Sequence, residues 1–476
     1  MFPQFEVATR LRPVAVVGTV SFSEEYDAAV PRSASAPTPH PAPYAAVEVD
    51  LTGDAPAGRL SLALAAADGT RLAVRLEPKR RDADLEVTTG GESTVHRSRR
   101  HGRAPVSPTR VGLALTGTHV SALTEERGHW VVRARVGLED LGVDVRDLGW
   151  LATLESSWSW SGDDGPAPVS GWRAGGFGRL GLRDLRLVTE RDGSPYRPDG
   201  PDGPVLLTAT SAGPGFFDTA HTSVWSIDPD TPELRHLSDL FFERPDAPGG
   251  YGDHATHLVR DGDRWLVATS TWGDFDPRAK DASMRITLAE TGADLLTGRH
   301  RLPTRELAVP TDGLASVGVW DPHLVHTGTE WLVGFVSARR FFDFHPAYAA
   351  GPSLDDLTLR GAVTDRTATE GTTILPHGDG WLLLASDGPD NPRGRRAQYP
   401  VFALNGALHQ TGTLRAPYPT NIPWPTLVPP APGGATGRGS GEWWLVTFDG
   451  TRYGGALPGY GTHGDVVLLR GVEEAD

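Results

Sequence analysis

The chain contains no cysteine, which excludes disulfides and thiolate metal sites. No run approaches 18 consecutive apolar residues, so no segment qualifies as a membrane-spanning helix. The first residues, Met1 to Val7, carry an acid at Glu6 and lack a basic start followed by an apolar stretch. A cytoplasmic protein with no membrane partner is the expectation. Basic charge is also in deficit, with 45 Lys and Arg against 60 Asp and Glu, a net charge of −15 over 476 residues. Phosphate backbones are bound by clustered excess Lys and Arg, so a nucleic-acid partner is not expected. The local clusters Lys79-Arg80-Arg81 and Arg97–Arg103 read as solvated loops. No His-x-x-x-His helix, phosphate loop or Gly-x-Ser-x-Gly elbow occurs, and no cofactor or metal ligand set declares itself.

What the chain has in quantity is glycine and proline, 57 and 40 residues, a composition of short strands and tight turns rather than long helices. After a Pro/Ala/Ser stretch at 29–44, period-2 patterns dominate. Leu60, Leu62 and Leu64 alternate with small or polar neighbours, Asp68-Gly69 turns the chain, and Leu72, Val74 and Leu76 alternate back. Leu85 and Val87, Val95, then Val111, Leu113 and Leu115, then Trp130, Val132, Ala134 and Val136 repeat the rhythm. Residues 1–180 are therefore expected to form an antiparallel β-sandwich. Its strand rhythm resembles the concanavalin-like (laminin-G-like) sandwiches. That resemblance implies an accessory domain, for packing, for self-association into a homo-oligomer, or for sugar binding.

From about 181 to 476 four stretches rhyme. They are Ala-Thr-His-Leu-Val…Trp-Leu-Val-Ala-Thr-Ser (255–270), Asp-Pro-His-Leu-Val…Trp-Leu-Val-Gly-Phe-Val-Ser (321–337), Glu-Gly-Thr-Thr-Ile-Leu…Trp-Leu-Leu-Leu-Ala-Ser (370–386) and Pro-Thr-Leu-Val…Trp-Leu-Val-Thr-Phe (425–448). In the first three an aliphatic residue, Leu258, Leu324 or Ile374, stands seven positions before Trp265, Trp331 or Trp381. A fifth unit fits upstream, from Asp184 through Val205–Ser211. Units of this size built from short apolar strands mark a radial array of four-stranded sheets. The fold expected is all-β, an N-terminal antiparallel β-sandwich followed by a five-bladed β-propeller. The tryptophans inside the strands are expected to be inter-blade core.

Three residues before the anchor aliphatic stand Asp184, Ala255 and Asp321, and Glu370 stands four before Ile374. Here the chain resembles the five-bladed arabinosidase/xylosidase superfamily, glycoside hydrolase family 43 and its relatives, over about 290 residues. Those enzymes carry Asp, Ala-Pro, Asp-Pro and Glu-Gly-Pro in successive blades. This chain has Arg-Asp-Leu (183–185), Ala-Thr (255–256), Asp-Pro (321–322) and Glu-Gly-Thr (370–372), departing at Leu185, Thr256 and Thr372. The resemblance implies a glycosidase, with Glu370 as general acid, its pKa raised by Asp321, and a base from the first blade. Inversion needs a protonated carboxyl for the leaving oxygen and a carboxylate for water, about 6.5–9.5 Å apart. Asp184 has the register for the base. Asp218, flanked by Phe216 and Phe217 in the loop 213–221, competes for the role, and the sequence leaves both open.

Sugar contacts are expected from other loops on that face: His254, His257, Trp272, Trp320, Arg339, Arg340, Trp424 and Tyr453. The expected substrate is a short oligosaccharide, with furanosides such as arabinofuranosides favoured. Three rival readings stand beside it. A phosphorylase or transglycosylase would use the same scaffold. A lyase would use His221, His257 or His323 as base. A non-catalytic carbohydrate-binding protein would have its axial carboxylates salt-bridged to Arg339 or Arg340.

Overall fold

Period-2 alternation becomes strands almost throughout the computed structural model, which describes residues 2–19, 24–27, 32–37, 39–53, 57–162, 166–201, 203–228, 231–280, 282–430, 442–450 and 464–472. Beyond residue 181 the strands pair into five sheets, antiparallel except where Thr189–Glu190 and Gly298–Pro303 join in parallel, each with an inner strand. The inner strands are Leu182–Leu187, His254–Asp261, Gly318–His326, Thr369–His377 and Thr426–Val428, which begin blades 1 to 5. One apolar cluster fills each gap between neighbouring blades. Leu258 and Trp265 lie between blades 1 and 2, Leu324 and Trp331 between 2 and 3, and Ile374 and Leu383 between 3 and 4. Leu384 and Leu445 lie between 4 and 5, and Leu185 and Val446 close the circle from 5 to 1. The fold is a five-bladed β-propeller. Trp265 and Trp331 are buried in these gaps, and Trp381 and Trp444 pack against them half-buried. Among the described residues, no helix is long and apolar enough to cross a membrane.

The ring closes in a way the division at residue 180 misses. Strand Gln4–Leu11, assigned by the sequence pattern to the sandwich, pairs antiparallel with Asp465–Val472 as the outer strand of blade 5. That pairing covers the edge of Asp465–Val472 and leaves Gln4–Leu11 as the edge of the sheet. It ties ring integrity to the N-terminus.

Between that strand and blade 1, two antiparallel sheets stack face to face. One runs through Tyr44–Leu51, Arg110–Thr116, His119–Glu126 and His129–Gly137, with Val169–Arg179 on its other side. The second contains Glu155–Gly162, Gly58–Ala65, Arg71–Glu77 and Asp82–Thr89. Leu62 faces Val74 and Leu64 faces Leu72 across the hairpin turned at Asp68-Gly69. These side chains share one core with Val47, Leu113 and Val120 of the facing sheet.

This domain is bolted to blade 1 by a buried polar network. Asp239 accepts from His221 Nε2 at 3.1 Å, His236 Nε2 at 2.9 Å and Arg299 Nε at 3.2 Å. The same guanidinium donates to His40 Nδ1 and to the carbonyl of Tyr44 in the sandwich. Burial alone would raise the Asp239 pKa, but His236 and His221 beside it hold it well below the usual carboxylate range. Breaking one member of such a set strands a charge out of water, at a cost of about 3–5 kcal/mol. Asp239→Ala, which leaves Arg299 buried and unpaired, is expected to lose that much in urea unfolding. An unchanged midpoint would remove the network from the stability of the domain junction.

Candidate active site

Each of the first four inner strands carries a β-bulge at the same place. Register slips between Arg183 and Arg186, His254 and His257, Trp320 and His323, and Glu370 and Thr373. At each bulge one residue takes a positive φ: Asp184 (51°), Ala255 (61°), Asp321 (56°) and Gly371 (74°). A bulge inserts a residue and re-aims its side chain, and Asp tolerates the left-handed region better than most. The bulge thus makes Asp184, Ala255, Asp321 and Gly371 equivalent. It also explains why Glu370 falls one position out of step with the two aspartates. Gly371 is required twice over, since its φ is positive and a Cβ there would meet the Trp424 ring at 2.5 Å.

The bulges bring three carboxyls together: Asp184 and Glu370 line one well, and Asp321 is buried beside them. All three interact electrostatically: Asp321 with Glu370 and Asp184, and Glu370 with Asp184. Asp321 is the deepest. Its Oδ2 accepts from the Gly371 N–H at 3.1 Å, its own N–H donates to Ser270 Oγ, and its carbonyl accepts from Thr372 Oγ1. Burial, then Glu370 and Asp184, push the Asp321 pKa well above the ordinary value. Glu370 is raised to about 8, by burial first and by Asp184 second. The neighbour that most raises Glu370 is therefore Asp184 rather than Asp321. Opposing it are Arg183 and the indole N–H groups of Trp424 and Trp320. Those indoles act on the carboxyl electrostatically without closing a hydrogen bond of good geometry. Asp184 is raised by burial but is held by Arg183, whose Nε lies 3.1 Å from Oδ2, and by Thr210 and Arg186.

Two arginines that sequence reasoning passed over organise this cluster. Arg183 also donates Nη2 to His254 Nε2 at 3.0 Å. A guanidinium only donates, so Nε2 is the acceptor and His254 Nδ1–H donates to the Gly252 carbonyl. Arg186 is fully buried over the face of Trp424, 4.7 Å from its centroid, and bonds the Thr372 carbonyl. Burial lowers its pKa to about 10, against the pull of Asp321 and Asp184. Their signal in the sequence was position: Arg183 precedes the bulge residue and Arg186 follows it by two.

The well, about 250 Å³, is lined by Arg183, Asp184 and Glu370 and walled by aromatics. Trp272 and Trp320 are in that wall. Phe217 stacks on Trp272 at 4.4 Å. Phe341, Phe342 and Phe344 join them from the hairpin of blade 3, a cluster legible as an aromatic run but not picked out. Trp424 sits behind Gly371 rather than in the wall.

Several expected contacts lie elsewhere. His257 and His323 are buried and stacked at 4.0 Å, and their Nδ1 atoms accept the backbone N–H of Leu324 and Ile374 in the next blade. They pin neighbouring inner strands together. His254 orients Arg183 instead of facing the cavity. Arg339 and Arg340 both pair with Asp343, away from the carboxyls. Asp218 turns from the well toward the sandwich, where His119 Nδ1 lies 2.8 Å from its Oδ2 and Arg135 Nη2 3.6 Å away. Tyr453 falls outside the described residues. Among the described residues no group of three or more histidine or acidic side chains converges as a metal site.

No family model and no curated protein matches the sequence. Solved structures similar in fold include a family 117 glycoside hydrolase of the marine bacterium Zobellia galactanivorans, 10% identical, covering 62% of this chain and 86% of that one at a TM-score of 0.43. The GH43_1 enzyme from Xanthomonas citri complexed with xylose is 13% identical, covering 61% and 86% at 0.40. Penicillium chrysogenum alpha-L-arabinanase complexed with arabinobiose is 10% identical, covering 88% and 97% at 0.33. The five-bladed ring itself is established by the strand pairing above.

Proposed function

We propose that the protein is a glycosidase acting on short oligosaccharides, furanosides favoured, with Glu370 as general acid and Asp184 as general base. The observation that carries this reading is that Asp184 and Glu370, from blades 1 and 4, line one aromatic-walled well, with Asp321 of blade 3 buried within electrostatic reach of both. Titratable groups whose surroundings push their protonation apart are how acid and base roles are divided at one pH. Arg183 beside Asp184 favours its charged form, and that charge in turn keeps the proton on Glu370. In the reaction, Glu370 would pass its proton to the departing glycosidic oxygen. Asp184 would take one from the water that attacks the anomeric carbon, giving the inverted product. Asp321 would serve as a third, deep carboxyl that positions Gly371, and with it Glu370, through the 3.1 Å bond to its N–H. The aromatic wall offers faces for the C–H side of a ring. A well of about 250 Å³ lies just below the usual range of ligand pockets, room for one sugar unit.

A panel of nitrophenyl glycosides, furanosides included, followed by proton NMR of the released anomer, tests the reading. Turnover with inversion supports it. Phosphate-dependent release would move the protein to the phosphorylases, and binding without turnover to the carbohydrate-binding proteins. For the last of these, the expected sign was a carboxyl salt-bridged to Arg339 or Arg340, and both arginines pair with Asp343 instead.

The protonation states predict the pH profile. An acid with a pKa of about 8 stays loaded through neutral pH, so kcat/KM should hold to about pH 8 and fall above it as Glu370 loses its proton. The acid limb should lie above the ordinary aspartate range, because Asp184 is raised. Both limbs belong to the coupled set, so they are read as macroscopic values. A profile already falling at pH 5 would exclude Glu370 as the acid.

A further inference from the structure

The well does not end at its aromatic wall. Four of its lining residues, Phe216, Phe217, Phe275 and Phe342, also line a second cavity of about 480 Å³ between propeller and sandwich. Its far wall is built by the N-terminal domain, through Thr118, His119, Arg135 and Asp140. A third cavity, about 620 Å³, shares His119, Arg135 and Gly137 with the second and runs on to the hairpin at Val95–Ser98. The three make one trough from the carboxyls onto the sandwich.

The trough is built, not incidental. Asp218 reaches from the propeller to hold His119 Nδ1 at 2.8 Å, Thr118 Oγ1 at 3.3 Å and Arg135 Nη2 at 3.6 Å, which fixes its floor. Arg135, which lines both the second and the third cavity, has its Nε buried with no hydrogen-bond partner. Phe342, at the junction of well and trough, is 58% exposed and held at φ 68°. An aromatic face kept in water by strained backbone is a platform awaiting a cover. The charged lining is mixed and net acidic: Arg135 and Arg278 against Glu139, Asp140, Asp218, Asp274 and Asp276. Aromatic platform, paired donors and acceptors and an acidic rim suit neutral hydroxyls and repel carboxylated or sulfated sugars.

We propose that the N-terminal domain builds a distal binding site for a neutral oligosaccharide, holding the sugars beyond the reacting one in the trough between His119 and Arg135 and the loops at 216–218 and 274–278. The proposal rests on the glycosidase reading above. It makes the sandwich part of the substrate site and sets a preference for chain length.

The test uses the full chain and the sugar it hydrolyses in the nitrophenyl panel, as monoglycoside and as neutral oligosaccharides of two to five units. In the wild type, kcat/KM should rise with length by about tenfold or more, the worth of one or two charge-assisted hydrogen bonds. His119→Ala should remove most of that gain, lowering the longest substrate at least fivefold more than the monoglycoside. Glu139→Trp, on an exposed turn where a bulky ring would fill the trough, should do the same without touching the floor. A flat length series in the wild type, or equal losses on short and long substrates in both variants, would overturn the proposal and leave the glycosidase reading intact. No turnover of any glycoside would remove that reading, and the proposal with it.

Discussion

Glu370→Gln is expected to fold, to bind sugar and to lose about three to four orders of magnitude in turnover, the upper range for removing a positioned general acid. It should also melt higher than the wild type in alkaline buffer, a result ordinary loss-of-function variants do not give. The sign follows from linkage. Glu370 has a folded-state pKa of about 8 against an ordinary 4.5. Below about 4.5 the carboxyl is protonated in both folded and unfolded chains, and nothing is lost. Between those values the unfolded chain ionises while the folded chain keeps its proton, so stability declines as pH rises and reaches its floor above 8. Glutamine has no proton to lose, and its amide replaces a strained carboxyl among Asp184 and Asp321. The Tm difference should therefore be largest at pH 8–9 and shrink toward pH 4. Differential scanning calorimetry across that range reads it. A variant destabilised at every pH would show that Glu370 is held by favourable bonds rather than tolerated for chemistry.

Asp184→Asn should lose about 10³-fold or more in kcat/KM, while Asp218→Asn should lose about tenfold or less. The two aspartates were rivals for the same role, and the structure separates them by what each faces. Asp184 lines the well, where it acts on Glu370 and Asp321. Asp218 is committed to His119, Thr118 and Arg135 across the domain junction. Its pKa is lowered by those partners against the effect of burial, which makes it a poor proton acceptor. Added azide, a small external nucleophile, should restore product formation in Asp184→Asn if that residue activates water, and the product anomer would then report the face of attack. Equal losses in the two variants would return Asp218 to contention.

Much of this was readable in the chain because propeller blades repeat locally. The aliphatic-to-Trp spacing locates inner strands one at a time, and the residue three before each aliphatic lands on the bulge in three blades, which is how Asp184 and Asp321 surfaced. Glu370 needed the glycine after it. Gly371 occupies the bulge, so the acid stands one place earlier, a shift that spacing alone registers only as an irregularity. What escaped was long-range. Pairing of Gln4–Leu11 with Asp465–Val472 joins residues more than 450 apart, and no local pattern encodes it. The direction of Asp218 is set by a domain whose docking the loop sequence does not specify. His257 was expected to contact sugar, and His257 and His323 were candidate bases for a lyase. Three-dimensional register turns them into struts between blades, since their ring nitrogens meet the next strand's backbone N–H.

The account stands or falls on one proton. Infrared difference spectroscopy of the carboxylic acid C=O band, wild type minus Glu370→Gln, titrates that group without any substrate. A protonated band that persists at neutral pH and disappears near pH 8 is the predicted result. A Glu370 band already lost by pH 5 would mean an ordinary carboxylate, and the division of acid and base between blades 4 and 1 would have no physical basis.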